Sequence, residues 1–249
     1  MMKASSMTTQ RKKRVVVCGL STRGMYHFVL PLLGRNRPGG TDFSQGAELV
    51  GILDIDRDRV ETFLAKTGTS VPFFPGDDPD RMLRETRPDV LIAVGPDVTH
   101  CGHAIAGLRA GCDVIIEKPM VINSEQVRLL QAAERESGRQ VRVAFNYRYT
   151  PTHQRLKRMI LGGKLGRIVN VEFTYNLDTW HGSSYFYRWN RDRRVSGGLN
   201  IHKCCHHFDL MNWFLGDVPA EVFAFGGLNY YGPNGALRPR DAQGNPLPP

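Results

Sequence analysis

Between residues 14 and 145, short runs rich in Val, Ile and Leu alternate with stretches whose apolar residues recur at helical spacing. Near-continuous apolar runs are typical of strands buried on both faces of a parallel sheet. We predict strands at 14–19, 48–54, 90–94, 114–116 and 141–145. We predict helices at 25–33, 58–67, 99–110 and 124–137, the last with Ser124 as N-cap. This alternation predicts an α/β fold with a doubly wound parallel sheet.

The pattern changes after about residue 149. Residues 168–175 and 221–230 alternate apolar and polar side chains with period two, which favours half-exposed antiparallel strands. Helical spacing covers 151–161 and 200–215. We therefore expect the parallel sheet to be followed by an α+β domain with a mainly antiparallel, open and incomplete sheet.

Charge and cysteine content restrict the classes of partner. The net charge is +9, but Lys3, Arg11, Lys12, Lys13 and Arg14 supply more than half of it without any acid between them. The rest of the chain is nearly balanced and has no zinc-finger spacing, which argues against nucleic-acid binding. Five cysteines without a CxxC pair favour a reducing, cytoplasmic compartment. No apolar run reaches the roughly 18 residues of a membrane span.

A glycine-bounded turn separates the first strand from the first helix, where a dinucleotide-binding loop is expected. Residues 19–24 read Gly-Leu-Ser-Thr-Arg-Gly. Gly19 permits the tight turn, Gly24 permits close approach of helix and strand, and the helix N-terminus attracts a pyrophosphate. Ser21 replaces the middle glycine of the usual fingerprint. Its hydroxyl could bond a phosphate, or its Cβ could crowd one, and the sequence leaves both open.

A single acid suits the ribose of such a cofactor. Asp54 ends the second predicted strand, where a carboxylate binds ribose hydroxyls and favours NAD over NADP. It follows Gly19 by 35 positions, more than the usual spacing of about 20, and the polar loop at 35–45 accounts for most of the excess. The less favoured alternative is that Asp54 is an ordinary strand-end or turn carboxylate, and Arg57 nearby leaves NADP possible.

Four further segments carry a resemblance to a known family. They read Gly-Pro-Asp-Val-Thr-His at 95–100, Glu-Lys-Pro at 117–119, Asn-Tyr-Arg-Tyr-Thr-Pro at 146–151, and Gly-Gly-Leu followed by His-His-Phe-Asp within 197–209. With the glycine turn and Asp54, in this order, the chain resembles the Gfo/Idh/MocA oxidoreductases from residue 14 to about 232. The resemblance implies a Rossmann domain that binds NAD(P), and hydride transfer at a hydroxyl carbon of a sugar, cyclitol or related polyol.

The resemblance also implies site residues. Lys118 is expected near the nicotinamide and the substrate hydroxyl, positioned by Pro119 through a rigid, often cis, peptide. The catalytic His, three residues before an Asp, corresponds to His206. The cofactor-binding residues are then Gly19, Ser21, Thr22, Arg23, Gly24, Asp54, Pro96, His100, Glu117 and Lys118. The candidate substrate residues are Arg148, Trp180, His181, Lys203 and Asp209.

The chemistry of alcohol oxidation supports His206 independently. A base must take the hydroxyl proton while hydride leaves the carbon, and an imidazole suits that task. On one continuous helix, His202, His206 and Asp209 would share a face, so His202 is a further catalytic candidate. Many family members carry Asp where this chain has His202, so the electrostatics at this position differ. A metal site on the two histidines is disfavoured because the neighbouring Lys203 repels cations, and we expect none.

Three functions stay open at this point. The first is an NAD(P)-dependent dehydrogenase, the second a glycosidase of the same family that cycles a bound NAD, and the third a non-catalytic nucleotide-binding protein. We expect a disordered basic tail (1–13), an NAD(P)-binding domain (14–149), a substrate and oligomerisation domain (150–235) and a Pro-rich tail (236–249). Family members usually have a larger second domain, so this one is expected to be truncated, with an exposed sheet that forms homo-oligomers.

Overall fold

The computed structural model describes residues 11–35, 40–231, 237, 239–245 and 247, so the first ten residues of the expected basic tail and part of the Pro-rich tail lie outside the described residues. The chain divides into two compact units at the peptide between Ala144 and Phe145. Among the described residues, every helix is too short or too polar to cross a membrane.

The first unit contains a six-stranded, fully parallel sheet in the order β3-β2-β1-β4-β5-β6. Its strands are β1 (Lys13–Cys18), β2 (Ala47–Asp54), β3 (Phe73–Pro75), β4 (Val90–Ala93), β5 (Asp113–Ile116) and β6 (Val141–Val143). The order reverses between β1 and β4, and in open α/β sheets ligands bind at such a reversal, beyond the carboxyl ends of the strands. The predicted doubly wound parallel sheet is confirmed.

Helices cover both faces of this sheet. They are α1 (Thr22–Gly24), a π-helical turn (Met25–Val29), α2 (Leu30–Leu32), α3 (Arg57–Thr67), α4 (Asp80–Thr86), α5 (Asp97–Arg109) and α6 (Ser124–Ser137). The N-cap of α6 is Asn123 and not Ser124 as predicted, because the Asn123 side chain accepts the Gln126 N–H at 2.9 Å. Strand β3 and helix α4 were not predicted.

Two separate apolar cores explain the continuous apolar runs. Val16 and Cys18 of β1 pack into one core with residues of α4, α5 and α6. Val15 and Val17 point to the opposite face and pack with residues of the first helical segment and α3. Since both faces of the strand are buried, neither can be polar, and no alternation appears in the sequence.

The second unit differs from its prediction in its strands. Its helices are α7 (Pro151–Leu161), α8 (Thr179–Tyr187), α9 (Arg193–Ser196), α10 (Leu199–His202) and α11 (Cys205–Leu215), with short 3₁₀ turns at Asn146–Tyr149 and Trp189–Arg191. The predicted strands at 168–175 and 221–230 are wrong in this structure, because neither segment has a hydrogen-bonded neighbour strand. Alternation indicates which side chains share a face, but only a partner strand satisfies the backbone, and Val169 and Phe225 are largely exposed.

Candidate functional site

The loop between β1 and α1 is shaped by two glycines that tolerate no side chain. Gly19 has φ +103°, and a Cβ there would lie 2.5 Å from the backbone nitrogen of Gly95. A Cβ on Gly24 would lie 2.5 Å from the carbonyl oxygen of Gly19. The predicted roles of both glycines, a tight turn and close packing of helix on strand, match this geometry.

Ser21 caps the helix that follows this loop. Its Oγ accepts the Gly24 N–H at 3.2 Å and donates to the Val94 carbonyl at 3.4 Å. The Ser21 hydroxyl therefore acts as the N-cap of the helix. Its hydrogen bonds stabilise the turn at the position where the usual fingerprint has its middle glycine. As the first amides of a helix, the N–H groups of Thr22 and Arg23 have no acceptor inside it. Such a row of amides fits the pyrophosphate of a dinucleotide.

Asp54 lies at the carboxyl end of β2 and is almost fully buried. Its carboxylate accepts the Leu20 N–H at 2.5 Å, the Asp56 N–H at 2.8 Å and a guanidinium N–H of Arg59 at 2.8 Å. A carboxylate has about four acceptor positions, so one stays open to a ribose hydroxyl. Asp54 thus ties β2 to the glycine loop and still fits the ribose role.

Arg23 connects the glycine loop to the loop that bears Lys118. Its Nε lies 2.5 Å from Oε1 of Glu117, and the second Glu117 oxygen accepts the Lys118 backbone N–H at 2.7 Å. The Glu117 side chain is only 5% exposed. Three of the residues predicted for the cofactor site are therefore connected by hydrogen bonds at the carboxyl edge of the sheet.

His100 also contacts the loops at this edge of the sheet. Its buried ring places Nδ1 2.8 Å from the Pro119 carbonyl and Nε2 3.1 Å from the Gly95 carbonyl. The Lys118–Pro119 peptide is cis, and Pro96 precedes the first residue of α5. His100 therefore contacts two loops of the predicted cofactor site through its ring.

In the second unit, the ring of His206 is buried in the first turn of α11. It stacks on Tyr147 with the ring centroids 4.1 Å apart and the planes nearly parallel, and its edge faces Phe145 at 5.9 Å. Tyr147 comes from the Asn-Tyr-Arg-Tyr segment but was not among the predicted site residues. That segment was the available signal, since an aromatic residue beside a candidate base can fix its orientation.

Arg148 and Asp209, both predicted to contact substrate, pair with each other. Both Asp209 oxygens accept hydrogen bonds from the Arg148 guanidinium, and the Asp209 side chain is 7% exposed. The ion pair raises the pKa of Arg148. This bidentate pair joins the 3₁₀ turn at Asn146–Tyr149 to α11, which holds the stacked rings of Tyr147 and His206 together.

The predicted common helix face of His202, His206 and Asp209 is wrong. His202 ends α10, the chain leaves the helix at Lys203 with φ −107°, and His206 belongs to α11. The His202 ring instead contacts Tyr185 and Trp189 edge-on, both at 5.5 Å. The helix therefore does not continue from His202 to His206, and His202 packs against two aromatic rings instead.

The remaining predicted substrate residues lie on different elements. Trp180 and His181 lie in the first turn of α8, where Trp180 is 85% exposed and the His181 ring stacks on Tyr185 with the centroids 6.4 Å apart. Lys203 is buried, with its ammonium 5.4 Å from the ring centroid of Tyr175. No group of His, Cys, Asp and Glu side chains suited to a metal ion occurs in the described part of the chain.

Comparison with known proteins agrees with this geometry. Residues 13–145 match the family described as an oxidoreductase family with an NAD-binding Rossmann fold, and residues 157–243 match its C-terminal alpha/beta domain. The first unit is thus an NAD-binding Rossmann domain of an oxidoreductase. The chain belongs to the Gfo/Idh/MocA family, which confirms the resemblance inferred from its motifs.

Individual relatives fall in the same family. The chain is 46% identical over 238 residues to YteT of Bacillus subtilis (strain 168), covering 95% of this chain and 52% of YteT. It is 28% identical to an inositol 2-dehydrogenase of Rubrobacter xylanophilus, over 73% of this chain and 48% of that protein. The chain thus spans about half the length of these curated relatives.

A solved structure also superimposes on the chain. The WlbA dehydrogenase from Bordetella pertussis, in complex with NADH and UDP-GlcNAcA, matches with a TM-score of 0.65 at 27% identity. The match covers 82% of this chain and 59% of WlbA. The relative was crystallised with the cofactor that the glycine loop and Asp54 fit here.

Proposed function

We propose that this chain is an NAD-dependent oxidoreductase acting on a hydroxyl-bearing carbon of a sugar or cyclitol. The observation that carries the proposal is the linkage from the glycine loop through Arg23 and Glu117 to Lys118. It joins the cofactor-binding turn to the lysine that the family uses beside the nicotinamide. The named inositol dehydrogenase and WlbA relatives support cyclitols and sugars as the substrate class.

Each catalytic side chain has a distinct task in this proposal. The imidazole of His206 accepts the proton of the substrate hydroxyl. The ammonium of Lys118 stabilises the negative charge that develops on the oxygen as the proton leaves. A bound nicotinamide supplies the acceptor for the hydride. Tyr147, stacked on His206, and the Arg148–Asp209 pair keep the base in a fixed orientation.

Cofactor binding and turnover test the proposal separately. We expect NAD to raise the melting temperature of the purified chain, and NADH to form with at least one member of a polyol and sugar panel. His206→Asn and Lys118→Met should each lower kcat by about 10²–10⁴-fold, the range of general acid–base catalysis. Lys164→Met, at an exposed lysine, serves as the matched control. No thermal shift with NAD or NADP would refute the cofactor site.

The same experiment distinguishes the alternative functions. Release of a sugar without net NADH would indicate the redox-cycling glycosidase. NAD binding without turnover on the whole panel would leave a nucleotide-binding protein. A stronger thermal shift with NADP than with NAD would overturn the reading of Asp54 as a ribose acid.

We further propose that the chain forms homo-oligomers through residues 168–175 and works in a reducing, cytoplasmic compartment. The exposed apolar side chains Val169, Val171, Phe173 and Tyr175 support the first part. The five cysteines, all free, support the second. A monomer by light scattering would contradict the oligomer.

A further inference from the structure

Lys203 is a buried cation without an acidic partner. Lys203 is only 8% exposed. In the described ranges, no carboxylate lies within 4.0 Å of its ammonium. The ammonium lies over the face of the Tyr175 ring, 5.4 Å from its centroid. A buried charge is costly unless it is paired, so such a group points to a ligand that pairs it.

A second unsatisfied group lies beside it. His207 is 8% exposed, and its Nε2 is enclosed without a hydrogen-bond partner among the described residues. Its ring lies 4.5 Å from Tyr175 and 5.1 Å from Phe173. Burial and the charge of Lys203 lower the pKa of His207, so its ring is neutral near pH 7 and can donate a single N–H.

These groups adjoin the candidate base. Burial, together with Tyr175, which contacts both Lys203 and His207, raises the pKa of Tyr147, and Tyr147 stacks on His206. A molecule held by Lys203 and His207 would therefore be held next to His206. Arg148 cannot serve the same purpose, because Asp209 already takes its guanidinium in a bidentate pair.

We propose that Lys203 and the Nε2 of His207 bind a carboxylate of the substrate, so that the chain acts on an acidic sugar such as a uronate. This inference rests on the proposed function and narrows its substrate class. One ammonium and one neutral N–H match a carboxylate of unit charge and two acceptor oxygens. A phosphate carries more charge and is commonly met by arginine clusters, which this cluster lacks.

Matched substrates that differ only in the acid group test the proposal. Glucuronate and glucose, and galacturonate and galactose, are compared for NADH formation with the whole chain. We expect kcat/KM to be higher for each uronate. Lys203→Met should lower the uronate-to-neutral ratio of kcat/KM by about 10–100-fold, the value of a hydrogen bond to a charged group of about 1.5–3 kcal/mol, and mainly through KM.

Binding provides a readout that does not depend on turnover. In the presence of NADH, a uronate should raise the melting temperature of the wild-type chain and of Lys164→Met, but not that of Lys203→Met. If Lys203→Met does not fold, Lys203→Arg keeps the charge and should retain the uronate preference with a higher KM, since its wider guanidinium changes the distance to the carboxylate.

The outcomes separate this inference from the proposed function. Turnover with neutral sugars preferred, or an unchanged ratio in Lys203→Met, would overturn the carboxylate site and leave the oxidoreductase intact. A uronate that shifts the melting temperature through Lys203 without any NADH formation would support the carboxylate site and refute the dehydrogenase. Absence of any uronate shift would refute the site.

Discussion

The Nε of Arg23 lies 2.5 Å from Oε1 of Glu117, so a residue of the glycine loop neutralises a carboxylate buried next to Lys118. The two residues stand 94 positions apart in the chain. Glu117 in turn holds the backbone of Lys118 through its second oxygen. The loop that fits the pyrophosphate and the loop that bears the family's lysine are therefore coupled by an ion pair.

Loss of the Arg23 charge should destabilise the first unit. In Arg23→Met the Glu117 carboxylate stays buried without its cation, and we expect a loss of about 1–3 kcal/mol in the free energy of unfolding, limited by the partial exposure of Arg23. Urea denaturation measures it. The affinity for NAD should fall as well, which isothermal titration can follow.

Two variants serve as controls for this ion pair. Arg81 and Glu85 form a similar Nε-to-Oε1 pair at 2.8 Å on an exposed helix face, and Arg81→Met should leave the unfolding midpoint unchanged. Adding Glu117→Gln to Arg23→Met removes the uncompensated charge and should recover part of the lost stability. Equal losses in Arg23→Met and Arg81→Met would contradict the coupling.

Gly19→Ala should prevent cofactor binding and destabilise the sheet. The added Cβ would meet the Gly95 backbone at 2.5 Å in a conformation with φ +103° that side chains rarely adopt. Gly68 has φ +55° with open space around it, so Gly68→Ala carries the conformational cost alone, about 1 kcal/mol. We expect a clearly larger loss for Gly19→Ala by urea denaturation. Similar losses in both variants would show that the approach to Gly95 is unimportant.

His103 should make the first unit sensitive to acid. Burial lowers the pKa of His103 from its usual 6.5, although its Nε2 lies 2.9 Å from the Asp77 carbonyl. The unfolded chain takes up this proton near pH 6.5 and the folded chain only at lower pH, so the stability falls as the pH falls below about 6.5. His103→Gln should show a shallower decline of melting temperature between neutral pH and about pH 5. His27→Gln, at an exposed histidine, should decline like the wild type.

Asp209→Asn should loosen the support of His206. The variant keeps the shape of the side chain but loses the charge that pairs with Arg148, and we expect a loss of about 1–2 kcal/mol in unfolding free energy because Arg148 is partly exposed and can be rehydrated. Turnover should fall through kcat more than through KM, since the base is misoriented while substrate contacts stay. Glu221→Gln, at an exposed acid, is the control. An unchanged kcat would assign Asp209 to stability alone.

The sheet of the first unit could be predicted because burial on both faces leaves a direct mark in the sequence. Val15, Val16 and Val17 must all be apolar, and no other element fits so short a run. Strand β3 has no comparable apolar run, since it has three residues, ends in Pro75 and lies at the edge of the sheet beside β2. Its position is set by its neighbour in the sheet and not by its own composition.

The candidate site was predicted where a local motif carried it and missed where tertiary contacts decide. Gly19 and Glu117 directly follow strands and Asp54 ends one, so the topology itself brings them to one edge. His207 and Tyr175 carry no local signal, because their importance comes from packing between a helix and an extended segment. The period-two alternation at 168–175 predicted a strand. The pattern of a single segment does not show whether a neighbouring strand is available to form hydrogen bonds with it.

The break between α10 and α11 makes positions 202 and 206 independent. If residues 202 and 206 lay on one continuous helix, a substitution at 202 would change the packing of the helix face that carries His206. Here His202 is packed against Tyr185 and Trp189, while the orientation of His206 comes from Tyr147 and α11. Exchange of the residue at position 202 should therefore leave the orientation of His206 unchanged, because the two rings share no packing partner among these contacts.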